Sequence, residues 1–151
     1  MVGGLEMETA GYAGLFLAAF VAASLLPAQS ELLLIAMLQS GRFEPLFLLL
    51  VASVGNVLGS TLNWGIGRYL SQHRDARWFP VSAGAMERAE YWYGRYGWPT
   101  LLLSWLPVVG DPLTLVAGLL RTPFPLFLFV VTIAKAGRYA VLLLLHAQLA
   151  T

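Results

Sequence analysis

Ser24-Leu25-Leu26-Pro27-Ala28-Gln29-Ser30-Glu31-Leu32-Leu33 has a faint echo further along the chain, Ser104-Trp105-Leu106-Pro107-Val108-Val109-Gly110-Asp111-Pro112-Leu113. In both, a proline interrupts an apolar run and a carboxylic acid stands four residues later. A second element repeats behind each, Gly67-Arg68-Tyr69 and Gly137-Arg138-Tyr139. The chain therefore reads as two halves. Each is an interrupted apolar hairpin holding an acid, followed by a long apolar helix that carries Gly-Arg-Tyr. Internal repeats with matching breaks in apolar segments are a mark of membrane transport sites. The competing reading is coincidence, because Leu-rich stretches match one another easily. Agreement of Ser, Pro and acid at one offset weighs against it.

Working outward, composition places the chain in lipid. It is 58% hydrophobic and 11% charged, against about 25% charged in an ordinary soluble domain. The net charge of +1 gives no steering towards nucleic acid, and no nucleic-acid partner is expected. Cysteine is absent, which removes disulfides and thiol catalysis. The first eight residues carry Glu6 and Glu8 in place of the basic region of a signal peptide.

The first half is expected over residues 12–70. Its hairpin covers 12–38, with the break at Pro27. Tyr12 to Leu26 is fifteen residues, about 22 Å as a helix, which falls short of the roughly 30 Å hydrocarbon core. The hairpin is therefore re-entrant or a single kinked span. Ser30 is placed to cap the helix that Glu31 begins. A full span follows over 45–69, signalled by Gly41-Arg42-Phe43-Glu44-Pro45. On this helix Ala52, Asn56, Gly59, Ser60, Asn63 and Gly67 share one narrow face. Such a stripe lets membrane helices approach closely; plain packing explains all of it except the amides of Asn56 and Asn63.

Residues 71–97 form the one polar stretch, with a short amphipathic interfacial helix over Ala83 to Tyr96 anchored by Trp92, Tyr93 and Tyr96. The second half covers 98–146, with a hairpin over 98–120 broken at Pro107 and Gly110, and a span over 123–146. Pro123 and Pro125 suit its first turn. Lys135, Arg138, Tyr139, Leu142 and His146 share one of its faces. The segment from Arg68 to Arg95 carries five arginines, so the 71–97 loop is expected in the cytoplasm. With both hairpins re-entrant, the fold is an all-α integral membrane domain: two hairpins and two full spans in an inverted repeat, meeting near the midplane. With both hairpins spanning, the repeat is parallel.

An ionisable side chain at membrane depth costs at least about 2.5 kcal/mol and points to function. Glu31 and Asp111 are the candidate proton-coupling pair, since an acid in a low dielectric can exchange a proton near neutral pH. Lys135 and Arg138, with Arg121, are placed to meet an anionic headgroup, and Asn56 and Asn63 to line the cavity. The alternative is a fixed bridge between these acids and bases that pins the hairpins. Arg68 lies nearer a helix end and is expected to snorkel. His73 and His146 are isolated, so no metal site and no cofactor are expected. No nucleophile–base pair or phosphate loop presents itself, and the chain is not expected to be an enzyme.

Leu26-Pro27-Ala28-Gln29-Ser30-Glu31, Gly55-Asn56-Val57-Leu58-Gly59, Gly67-Arg68, Leu103-Ser104-Trp105-Leu106-Pro107-Val108-Val109-Gly110-Asp111, Ala117-Gly118 and Lys135-Ala136-Gly137-Arg138-Tyr139 together resemble the YqaA-type branch of the DedA (SNARE-associated, VTT-domain) superfamily. The resemblance covers about Tyr12 to Tyr139. It implies opposed re-entrant hairpins plus spanning helices in the bacterial inner membrane. It also implies movement of lipids across the bilayer in dependence on the proton-motive force. Larger members carry arginines three residues before and after the hairpin proline. Here Ser104 and Gly110 stand in those places, and Asp111 with Lys135 and Arg138 is the replacement the sequence offers. The function expected is a small proton-linked lipid or anionic-headgroup flippase or scramblase, working as a homo-oligomer. The alternative is a non-transporting component that assembles envelope complexes through its Gly55–Gly67 face.

Overall fold

The structure, a computed structural model, describes residues 2–23, 29–71, 83–106 and 109–149. Pro27 and Pro107, the two expected helix-breaking prolines, lie outside the described residues, as do His73 and most of the 71–82 stretch. Every regular element among the described residues is helical: α1 (Val2–Ala22), α2 (Gln29–Gln39), α3 (Pro45–Leu70), α4 (Ala83–Tyr96), a 3-10 segment (Trp98–Trp105), α5 (Gly110–Leu119) and α6 (Phe124–Leu149). Three are long and apolar enough to cross a bilayer, over Gly3–Ala22, Pro45–Leu70 and Phe124–Leu149. Leu17, Leu46, Leu50, Val54, Leu62, Phe129 and Leu144 all point outward. Water would not tolerate so continuous an apolar exterior, whereas lipid is a solvent for it.

Helix α1 corrects one expected boundary. It begins at Val2, ten residues before Tyr12, and its 21 residues reach about 31 Å. By length and composition α1 could cross a bilayer alone. Glycines 3 and 4 and two glutamates hide the helix in an apolar scan.

The chain divides into two compact units, and α3 and α6 contribute residues to both. The first comprises Met1–Gly59 with Lys135–Thr151, and the second Ser60–Ala134. In the first unit α1 packs on α2 around Leu15, Ala19, Leu34, Met37, Leu48, Ala52 and Tyr139. Gly55 and Gly59 let α3 lie against α1. A Cβ at Gly55 would sit 2.6 Å from the Phe16 carbonyl oxygen, and one at Gly59 2.5 Å from that of Phe20. The turn after α2 uses Gly41 at φ 65°. Glu44 then caps α3, its Oε2 accepting from the Phe47 amide at 2.7 Å. Tyr12 holds this turn: its hydroxyl accepts from the Glu44 amide at 3.1 Å, and its ring meets Phe43 and Phe47 edge-on.

In the second unit the 3-10 segment, α4 and α5 pack together over a core of Ala89, Tyr93, Leu101, Leu113, Val116, Phe127 and Val131. The first leg of the second hairpin is thus 3-10 rather than α, with proline in its first turn. Its eight residues and the ten of α5 are each too short to cross a bilayer alone. They fold back on one another: a Cβ on Gly110 would strike the Ser104 carbonyl. Gly67 and Gly118 make a reciprocal contact, their positions closed by the carbonyls of Leu115 and Trp64 respectively. Helix α5 ends in a Schellman motif, with Thr122 N–H bonded to Ala117 O and Arg121 N–H to Gly118 O. Its left-handed residue is Arg121, at φ 59°.

Helix α4 has the expected bounds and is amphipathic, with Tyr91, Trp92 and Tyr96 exposed. Tyr93 is corrected from an interfacial anchor to a core residue: it is buried and hydrogen-bonds the Thr122 hydroxyl. Period alone did not separate it from its exposed neighbours. Burial holds the Tyr93 phenol above its ordinary range, and the bond to Thr122 opposes that in part.

Candidate functional site

The first unit builds a polar chain inside an otherwise apolar core. Helix α6 supplies Lys135, Arg138 and Tyr139, which stand three and four residues apart and so share a face. Helix α3 supplies Asn56 from its small-residue stripe. Helix α2 supplies Ser30 and Glu31 from its first turn, where a carboxylate complements the helix dipole.

Their geometry is continuous. Lys135 Nζ donates to Asn56 Oδ1 at 2.5 Å. The Asn56 amide nitrogen donates to the Tyr139 hydroxyl at 3.0 Å. That hydroxyl also bonds the Ser30 hydroxyl, at 3.2 Å. One residue along on each helix, Arg138 forms an ion pair with Glu31. Lys135 is 3% exposed and Asn56 4%. The ion pair is more open, at 12% for Arg138 and 26% for Glu31. A charge buried this deeply is tolerated only when it is hydrogen-bonded, and charge-assisted bonds are the strong ones.

Of the residues singled out from sequence, Glu31, Asn56, Lys135 and Arg138 therefore come together. Ser30 does not cap α2 as expected. It lies inside the helix, buried, and spends its hydroxyl on Tyr139. Asp111, Asn63, Arg121 and Gly110 lie in the second unit. Asp111 opens α5, as Glu31 opens α2, and its carbonyl accepts from the Thr114 hydroxyl at 2.8 Å. Asn63 donates to the same hydroxyl oxygen at 3.4 Å. Arg121 is exposed on the α5–α6 turn.

Three residues of these networks were not singled out as site residues: Ser30, Thr114 and Tyr139. Tyr139 was legible as a member of the Lys135 face. Ser30 and Thr114 carried no signal, because a small hydroxyl in an apolar helix ordinarily bonds its own backbone.

The VTT domain matches residues 26–148 of the chain, from the break before α2 to the end of α6. The inner membrane protein YqaA of Escherichia coli (strain K12) is 44% identical over 125 residues, covering 83% of each chain. YqaA of Shigella flexneri matches to the same extent. A protein of Haemophilus influenzae is 37% identical over 138 residues, covering 87% of this chain and 84% of its own. No solved structure matches. With the acids that open α2 and α5, the α3 span and the Lys-Ala-Gly-Arg-Tyr face of α6 all inside the family match, the chain belongs to the VTT-domain family, in the YqaA-type DedA branch, and is a protein of the bacterial inner membrane.

Proposed function

We propose that this protein is a small proton-linked transporter that carries an anionic lipid headgroup across the inner membrane. Glu31 and Asp111 handle the proton. Lys135 and Arg138, with Arg121, meet the headgroup, and Asn56 and Asn63 line its path. The observation that carries this reading is the buried chain of Lys135, Asn56, Tyr139 and Ser30 beside the Glu31–Arg138 pair. If pinning helices were the only task, apolar residues of similar volume would do it as well or better, because desolvating charges costs more than their attraction returns. Two cations one turn apart on a spanning helix are a costly pin and a suitable receptor for an anion.

The proposed architecture is the inverted repeat. The half-helices α2 and α5, of 11 and 10 residues, enter only part of the bilayer. Helices α3 and α6 span it, α1 from Tyr12 onward pairs with α2 as the first hairpin, and the 71–97 loop faces the cytoplasm. A homo-oligomer completes the wall around so small a site. The rival reading, an assembly component, relied on a free Gly55–Gly67 face. Gly55, Gly59 and Gly67 are all taken up by contacts within the chain, which favours transport.

Two experiments test the proposal. The protein is reconstituted into phosphatidylethanolamine–phosphatidylglycerol vesicles with a fluorescent phosphatidylglycerol, and its movement is followed under an imposed pH gradient. Glu31→Gln and Asp111→Asn are expected to insert and fold normally and to lose transport. Full activity in both removes the proton role. For topology, single cysteines in this cysteine-free chain at Thr9, Ser40, Ser82 and Pro123 are labelled from either side. Labelling of the first two from one face and the last two from the other supports the inverted repeat. Labelling of Thr9 and Ser40 from opposite faces ends it.

A further inference from the structure

Lys135 is the single lysine among the chain's nine Lys and Arg residues. The two cations are ordinarily distributed the other way. Arginine suits buried ion pairs, because its guanidinium is weakly hydrated and offers five donors, while lysine keeps a strongly hydrated ammonium in water. Here Arg42, Arg68, Arg88, Arg95 and Arg121 are all exposed, and the lysine is 3% exposed. It is the twelfth of the 26 residues of α6, about 17 Å from the helix start. That is too deep for its stem to snorkel to the interface. The ammonium is held inside instead, donating to the Asn56 carbonyl oxygen. The elements packed around it bring few titratable groups. Helix α2 brings Glu31, and α6 itself brings Arg138 and Tyr139. Residues 11–23 of α1 and 45–59 of α3 have no charged side chain, and the Tyr12 hydroxyl is spent on the Glu44 amide. Glu31 and Arg138 pair with one another. The charge of this cluster is therefore that of Lys135: one positive charge as the ammonium, none as the amine. Net charge at membrane depth is costly, and the cost is relieved when the group gives up its proton. Lysine can do so, whereas arginine stays charged.

We propose that Lys135 is a proton-exchange site that alternates between ammonium and neutral amine. The Nζ–H bond breaks with its electron pair left on nitrogen, and the proton passes to water. Arg138 keeps its charge throughout. A site that needed only a second permanent cation would be better built from arginine. The proposal deepens the transport reading and rests on it for the use of this proton: a headgroup meets two cations before the proton leaves and one after, so binding and release differ by a single proton.

The test uses the full chain in phosphatidylethanolamine–phosphatidylglycerol nanodiscs, grown with lysine carrying carbon-13 at Cε and read by nuclear magnetic resonance. With one lysine in the chain, the label gives one signal that needs no assignment. The signal is expected to move from its ammonium to its amine position between about pH 6 and 9, whereas a lysine in water does so at about pH 10.4. An ammonium signal that persists in the folded chain above that range overturns the proposal. So does a signal that stays an amine throughout. Lys135→Arg makes the charge permanent. At unchanged helix content it is expected to lose gradient-driven movement in the vesicle assay above, and movement at the wild-type rate overturns the use of this proton in transport. Wild-type vesicles that move no lipid end the transport reading alone, and the titration still decides the proton site.

Discussion

Arg68 lies exposed with its guanidinium 5.7 Å from the centre of the Trp64 ring, whereas Arg138 is paired with Glu31. Both belong to a Gly-Arg-Tyr triplet, and the other two members differ as sharply. Gly67 is pressed against the backbone of α5, while nothing approaches within 4 Å of the Cβ that Gly137 lacks. Tyr69 is 61% exposed and Tyr139 1%. The two units have divided the tasks of one motif. In the second, the glycine does the work and the arginine lies exposed over the Trp64 ring. In the first, the arginine and tyrosine do the work and the glycine is idle. A repeat in sequence fixes a position along a helix, but the environment comes from whichever elements pack there.

Substitutions at matched positions can break this comparison. The largest effect is expected at the glycines. Gly67→Ala must push α5 away and should cost about 3 kcal/mol, measured by unfolding in micelles. Gly137→Ala should instead stabilise by about 1 kcal/mol, the helix-propensity difference. Equal effects at the two sites would undo the contrast. Next come the arginines. Arg138→Gln leaves Glu31 unpaired and should cost about 2 kcal/mol, below the figure for a fully buried pair because both side chains keep some water contact. Arg68→Gln should change stability by less than about 0.5 kcal/mol. A smaller effect sharpens the role of Tyr139. Tyr139→Phe keeps the ring but removes the hydroxyl that bonds Ser30 and the Asn56 amide nitrogen, for about 1.5 kcal/mol; a neutral result would mean that the polar chain does not depend on its hydroxyl.

The smallest effect is a pH effect in the second unit. Burial raises the Tyr93 phenol in the fold above its unfolded value. Its contribution is therefore complete below about pH 10 and is lost as pH rises through the folded value. Melting temperature should fall in that alkaline range, and Tyr93→Phe should flatten the fall. An unchanged slope in the variant would place the loss elsewhere.

Much of this architecture was legible in residue order. The spans α3 and α6 and the bounds of α4 followed from hydropathy and turn residues, because each has a clean start signal such as Glu44-Pro45. The α3 stripe was legible for the same reason, and all of it is buried but Asn63, which is half buried. What escaped the sequence depends on distant partners. The α1 start is hidden by glycine and glutamate. The 3-10 winding of Trp98–Trp105 and the burial of Tyr93 are decided by what packs against them. Within the site, Lys135, Arg138 and Glu31 stood out because charge is rare in lipid. Ser30 and Thr114 did not, because hydroxyls are common there and only a neighbour 109 or 51 positions away in the chain gives them a role.

The reciprocal contact of Gly67 and Gly118 has a mechanical consequence. Where two helices meet through side chains, rotamer changes let one slide over the other. Here backbone rests on backbone, with no compressible layer between. Helix α5 and the carboxyl-terminal turns of α3 therefore travel as one lever arm. Asp111, at the start of α5, cannot shift without carrying the Trp64–Arg68 turn with it. A spectroscopic label near Arg68 would thus report any displacement of α5.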